Sequence, residues 1–222
     1  MDLIEAMEKR HAVREYTDRQ IDDETKAKLQ EVIDECNKEG NLNIQLFTDE
    51  PGAFDESILI YGKIKNGRNY FAMIGENAPD LEERVGYYGE KLVLSAQQMG
   101  LNTCWVGTTY KKMNKLMNLR ENDRIVLVIA LGYGENQGEA HKSKDISCVA
   151  KSEGDSPEWF LNGAKAALLA PTAINQQRFT FTVLEDGKVK ADPGRAFFCK
   201  VDLGIAKYHF ELGAGKDSFE WA

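Results

Sequence analysis

Arg10 and Arg14 stand in the run Lys9-Arg10-His11-Ala12-Val13-Arg14-Glu15-Tyr16. In an extended stretch alternate side chains share a face, so Arg10, Ala12 and Arg14 point one way. Two guanidiniums on one side can grip a phosphate bidentately or face an anionic ring. A solvated basic patch on an acidic protein has the same pattern. A second segment is Thr103-Cys104-Trp105-Val106-Gly107-Thr108-Thr109, where Gly107 permits close approach of a ligand to backbone N–H groups. A buried strand end would read alike. Cys104 has no base assignable to it and fits a small core residue. The third segment, Ala170-Pro171-Thr172-Ala173-Ile174-Asn175-Gln176-Gln177-Arg178-Phe179, combines small and amide side chains. Small residues let a flat ring lie against backbone, and amides can read ring carbonyls and N–H groups. An ordinary helix-to-strand loop is the alternative. His141-Lys142-Ser143-Lys144 adds a basic cluster whose lysines can close on a phosphate, or simply line a surface loop. His209 sits mid-helix and reads as structural.

The elements that must position these residues follow from periodicity and punctuation. A short amphipathic helix covers 2–9, with Leu3, Ile4, Ala6 and Met7 as its apolar positions, and the Arg10 segment follows it extended. Asp22 or Asp23 caps a second helix that ends at Gly40. Strands are expected from Leu42 to Phe47, Ile58 to Tyr61 and Tyr70 to Ile74, the last two around a turn at Asn66-Gly67. Leu81 to Met99 is a long helix ended by Gly100, Thr103 to Gly107 a short strand or loop, and Lys111 to Met117 a helix. Arg124 to Leu131 is nearly all apolar, a strand covered on both faces and broken by Gly132-Tyr133-Gly134. The polar stretch from Glu135 to Asp155 reads as a linker or surface crossing. Pro157 opens a helix that runs to Ala170, where Pro171 stops it. A hairpin pairs Phe179 to Leu184 with Lys188 to Ala191 around Asp186-Gly187, and Val201 to Leu212 forms the last long helix. Val85, Lys91 and Trp105 match Val201, Lys207 and Trp221 at one constant spacing, a faint internal repeat that points to a duplicated α+β unit.

Composition narrows the function classes. The chain has 222 residues, 42 % hydrophobic and 29 % charged, an ordinary globular mixture large enough for one sizeable domain or two small ones. Its net charge of -8 repels phosphate backbones, which argues against general nucleic-acid binding and makes a local basic cluster stand out. Four cysteines, Cys36, Cys104, Cys148 and Cys199, lie far apart with only three His, so neither a zinc site nor a disulfide framework is expected. No apolar run approaches the roughly 20 residues of a spanning helix, and Met1-Asp2-Leu3-Ile4-Glu5 lacks a leader's apolar core. No membrane association and a cytoplasmic location are the expectations.

Together the segments resemble the FMN-dependent nitroreductase family. Lys9-Arg10-His11-Ala12-Val13-Arg14 looks like its flavin-binding opening, and Ala170-Pro171-Thr172-Ala173-Ile174-Asn175-Gln176-Gln177 looks like its Ala-Pro-Ser-x-x-Asn-x-Gln loop. Gly100 to Gly107 resembles the segment whose backbone faces flavin N5, and Leu131-Gly132-Tyr133-Gly134 with Lys142 and Lys144 resembles its late phosphate-binding stretch. The order departs from the usual one. The Ala-Pro loop ordinarily follows soon after the opening motif, but Glu39 to Gln45 stands there instead. In the family that loop reaches the flavin from the opposite subunit.

The resemblance therefore implies an α+β nitroreductase-like fold, an internally duplicated pseudo-dimer with mixed and antiparallel sheets packed by helices. Residues 1–150 would form the first half, and 151–222 a second half completing one flavin site. It implies FMN as cofactor, with Arg10, His11, Lys142 and Lys144 on the phosphate and Arg14 as the positive group near N1. Trp105, Val106 and Gly107 would supply the segment facing N5. Ala12 stands where the family has Ser, losing one hydrogen bond to the flavin. Pro171, Thr172, Ala173 and Asn175 would close over the ring, and no side chain need be a catalytic acid. NADH or NADPH would be the donor and a small electron-poor aromatic the acceptor, in a monomer or homodimer. A chain of this fold that binds FMN without turnover is the alternative.

Overall fold

The computed structural model describes residues 1–51, 53–54, 63–108 and 117–222. The strand expected from Ile58 to Tyr61 lies outside them, as does the helix expected from Lys111 to Met117, save its last residue.

Helix α1 (Leu3–Lys9) starts at Asp2, whose carboxylate accepts the Glu5 N–H at 2.8 Å. The chain then runs extended beside β3 (Asn102–Val106), with Val13 N–H donating to Thr103 O at 3.0 Å. Helix α2 (Asp23–Gly40) is capped by Asp22 and closed by Asn41 in the left-handed region. Strand β1 (Gln45–Phe47) is shorter than expected. The Asn37 side chain takes both backbone groups of Ile44, at 2.6 and 3.0 Å, while the Asn43 N–H still bonds the Ile74 carbonyl at 2.8 Å. With β2 (Asn69–Glu76) and β4 (Asp123–Gly132) these strands form an antiparallel sheet in the order β1-β2-β4-β3. The apolar run read as doubly covered holds, since Leu127 to Leu131 is buried throughout.

Helix α3 (Leu81–Gln98) crosses α5 (Cys199–Ala214) with almost no side chain between them. A Cβ on Gly86 would fall 2.1 Å from Val201 O, and one on Gly204 would fall 2.0 Å from Glu83 O. The contact is reciprocal: each glycine meets the carbonyl three residues before the other. The same sequence interval thus relates Gly86 to Gly204 and Glu83 to Val201. That register is two residues off the repeat read from Val85 and Lys91, because the close approach selects glycines and the repeat was anchored on other side chains.

The second sheet, β5-β6-β7, is mixed. β6 (Thr180–Val183) and β7 (Val189–Asp192) are the expected hairpin, while β5 (Ala150–Ser152) joins β6 in parallel. The stretch from Glu135 to Asp155 is therefore more than a linker. Val149 is fully buried in the main core and anchors it. Helix α4 (Glu158–Ala167) ends three residues earlier than expected. The chain tightens through Leu169 and Ala170, whose N–H groups bond the carbonyls of Ala166 and Ala167, because a residue before proline avoids the helical region. Phe160, Phe181 and Phe210 pack against Trp221 and Phe219 under this sheet, each buried ring contributing about 2–3 kcal/mol.

Candidate functional site

The sheet, the α5 face and the chain's start enclose a cavity of about 240 Å³, just under the roughly 300–1,000 Å³ range of small-molecule pockets. Arg10, Ala12 and Arg14 form one wall, as alternation along an extended stretch requires, while Val13 turns into the core. Cys104 to Thr108 form the floor at the end of β3. Pro171 to Ile174 face them from beyond α4, and Phe197, Phe198, Val201, Asp202 and Ile205 come from α5 and its entry.

Arg10 is 3 % exposed, yet among the described residues its Nε has no hydrogen-bond partner. Glu90 lies 3.7 Å away as an ion-pair partner. Burial lowers the guanidinium's pKa and the Glu90 charge opposes that. Burial raises the Cys104 thiol, against the pull of Arg14 and Arg10, so it is a neutral floor residue. Asp202 lines the same cavity from α5. Burial pushes its carboxyl up to about 6, while the N–H of Ala173 at 3.0 Å and the Gln176 amide at 2.6 Å favour its ionised form.

The turn that Asp202 holds is strained. Ile174, Asn175 and Gln177 all have positive φ, of 47°, 55° and 43°. For β-branched Ile174 that conformation is an outlier of the sort found at binding sites. Phe198, across the cavity, also has positive φ, at 59°, and its ring lies where a Cβ on Gly107 would fall, 2.3 Å from Cε2. The Gln176 amide bonds the Phe197 carbonyl at 2.9 Å and so ties the two lips together. Ile174, 83 % exposed, and Phe197, 69 % exposed, stand at this rim.

Of the residues singled out in the sequence, Arg10, Ala12, Arg14, Trp105, Val106, Gly107, Pro171, Thr172 and Ala173 line the cavity. His11 points away, packed against Gly138. Asn175 turns outward and donates to Lys142 O at 2.9 Å. The Lys144 ammonium donates to the carbonyls of Gln176 and Gln177 at 2.7 and 2.8 Å, so it holds the turn from outside. Phe197, Phe198, Val201, Asp202 and Ile205 were not found by sequence reasoning. An acidic residue at a helix start beside two aromatic residues was the one available signal, and it belongs to no motif. Among the described residues no cluster could hold a metal ion, and no helix is long and apolar enough to cross a membrane.

A family model described as "Putative TM nitroreductase" matches residues 2–214. Among solved structures, the chain is similar to one described as a putative nitroreductase from Thermotoga maritima. The two are 22 % identical over 99 % of this chain and 87 % of that one, with a TM-score of 0.64. A nitroreductase family protein from Streptococcus pneumoniae is 14 % identical over 66 % of this chain and 97 % of its own, with a TM-score of 0.51. A protein described as a putative NADH dehydrogenase/NAD(P)H nitroreductase from Parabacteroides distasonis is 18 % identical over 66 % of this chain and 95 % of its own, with a TM-score of 0.50. Identities this low speak for the fold alone. No curated protein matches the chain.

Proposed function

The chain belongs to the family described as "Putative TM nitroreductase", a family of oxidoreductases, and on that premise we propose that it is an FMN-dependent enzyme. NADH or NADPH is the donor and a small electron-poor aromatic, such as a nitroaromatic or quinone, the acceptor. One observation carries this reading: Arg10, Ala12 and Arg14 from the chain's start meet Pro171, Thr172 and Ala173 from its second part around one cavity.

The residues fit FMN. Arg10 and Arg14 bring two guanidiniums to the cavity wall, small side chains leave a flat face open, and the Trp105–Gly107 backbone borders it. When bound, FMN supplies hydride transfer. The chain's own residues bind and orient. Arg10 holds an anionic group of the cofactor, and Arg14 offers positive charge to the ring edge that gains negative charge. The Val106 and Gly107 backbone and Pro171 to Ala173 would border the flavin ring from opposite sides of the cavity. His11, Lys142 and Lys144 stand outside the cavity wall, so their expected phosphate contacts are the least supported by this geometry. Ile174, Phe197 and Phe198 form an apolar rim suited to a flat aromatic acceptor.

The pseudo-dimer reading, with residues 1–150 as one half and 151–222 as the other, rests on the reciprocal Gly86–Gly204 crossing. Length supports it too, since two-thirds of this chain takes up nearly the whole pneumococcal protein. The remainder would stand in for the part a second subunit contributes.

Absorbance of the purified protein titrated with FMN, then stopped-flow mixing with NADH or NADPH, tests the function. Bound flavin that bleaches supports the enzyme. Bound flavin that does not bleach supports a binding protein, and no flavin uptake overturns both.

A further inference from the structure

Behind the Arg10 wall lies a fully buried charge network. Glu90 on α3 and His209 on α5 are both 0 % exposed. Glu90 Oε1 lies 2.9 Å from His209 Nε2 and 3.7 Å from Arg10 Nε, and its Oε2 accepts the Trp105 indole N–H at 3.1 Å. On the far side, His209 Nδ1 meets the Ala166 carbonyl of α4 at 3.2 Å.

The hydrogen-bond inventory fixes the protons. A carbonyl only accepts, so Nδ1 carries hydrogen. Nε2 faces a carboxylate oxygen, and two lone pairs at that distance would repel, so a proton lies between them. The Trp105 N–H donates to the other oxygen of that carboxylate at 3.1 Å and the Arg10 guanidinium stands 3.7 Å away, a setting in which the carboxylate accepts and the ring donates. Among the described residues, Tyr208 interacts with Glu90 and His141 with His209. Burial raises Tyr208 to about 12 and lowers His141, so neither adds charge at neutral pH.

We propose that His209 is a buried imidazolium that neutralises Glu90, so that Glu90 positions Arg10 and Trp105 without cancelling the positive charge Arg10 presents to the cavity. With a neutral ring, Glu90 and Arg10 would sum to zero. With the imidazolium, the trio keeps one positive charge beside the cavity. His209 and Glu90 are thus positioning residues that act through Arg10. The binding readout below rests on the cavity being the FMN site, whereas the proton assignment does not.

Two measurements test this. In ¹⁵N spectra of the ligand-free protein at neutral pH, assigned by loss of signal in His209→Gln, both ring nitrogens of His209 should be protonated. A bare Nε2 overturns the proposal. In FMN titrations, His209→Gln should weaken binding at least about tenfold, because Glu90 then cancels Arg10. Adding Glu90→Gln should restore most of the loss, since it removes the uncompensated carboxylate. A double variant that binds no better than His209→Gln overturns the charge role, because a merely structural pair would lose more when both members change. If the wild-type chain takes up no FMN, the reading of the cavity fails, and the ring-nitrogen spectrum still decides the proposal.

Discussion

The crossing of α3 and α5 carries two depressions, and they differ in what their polar groups are doing. The cavity takes Val201, Asp202 and Ile205 from α5, with Trp105 beside them. A groove takes Glu83, Arg84 and Tyr87 from α3, with Trp221 beside them. The helix residues correspond one to one at the interval that relates Gly86 to Gly204. Each indole donates to a glutamate of the helix next to it, Trp105 to Glu90 and Trp221 to Glu211. In the groove the cations are spent. Arg84 is held by Asp80 at 3.0 Å and by the carbonyls of Gly40 and Asn41, and Lys207 pairs with Glu83 at 2.8 Å while lying 4.5 Å over the Trp221 ring. At the cavity Arg10 has only Glu90, 3.7 Å from a Nε that makes no hydrogen bond among the described residues, and an acid, Asp202, stands where the groove has Arg84. One scaffold position thus keeps a donor without a hydrogen bond and the other satisfies its own, which is the contrast the proposed FMN site rests on.

The sharpest way to break that contrast is Arg10→Ala. It should cost FMN affinity about a thousandfold, about 4 kcal/mol, in a fluorescence titration, whereas Arg84→Ala in the groove should leave affinity unchanged. Equal losses would erase the distinction. Next comes the crossing itself. Gly204→Ala must push the Glu83 backbone away and should lower stability to urea by about 3 kcal/mol. A neutral result would mean that the reciprocal contact is not tight.

Asp202 gives a third test with a definite sign. Its carboxyl is raised to about 6 when folded, from 3.8, so the folded state holds that proton more tightly. Its ionisation opposes folding at neutral pH, by about 2–3 kcal/mol at most, and that cost fades as pH falls through 6 toward 4. Relative to Asp202→Asn, the wild type should therefore gain stability on acidification over that window. A constant difference would show that the carboxyl is not perturbed. Smallest is Lys207→Ala, which should change stability by less than about 1 kcal/mol and leave FMN binding alone. A large effect on binding would make the groove part of the site.

The cavity's first wall was legible in the sequence because alternation in an extended stretch is a local rule, and Arg10, Ala12 and Arg14 obey it. Pro171 to Ala173 were legible by composition. What escaped was set by tertiary contact. Phe198 matters because Gly107 leaves room for its ring, and Asp202 matters because α5 turns it toward Ala173 and Gln176. Neither fact is encoded near the residue itself. Lys144 was read as an anion ligand from its charge, but its reach to the carbonyls of Gln176 and Gln177 depends on β5 joining β6. That parallel pairing is non-local and was hidden in a polar stretch. The early end of α4 was a local signal, since Ala170 precedes a proline.

The most direct measurement is native mass spectrometry of the protein after incubation with excess FMN. One FMN per chain, lost in Arg10→Ala and kept in Arg84→Ala, is the expected result. Two per chain, or one that survives Arg10→Ala, would contradict a single site built on the Arg10 wall.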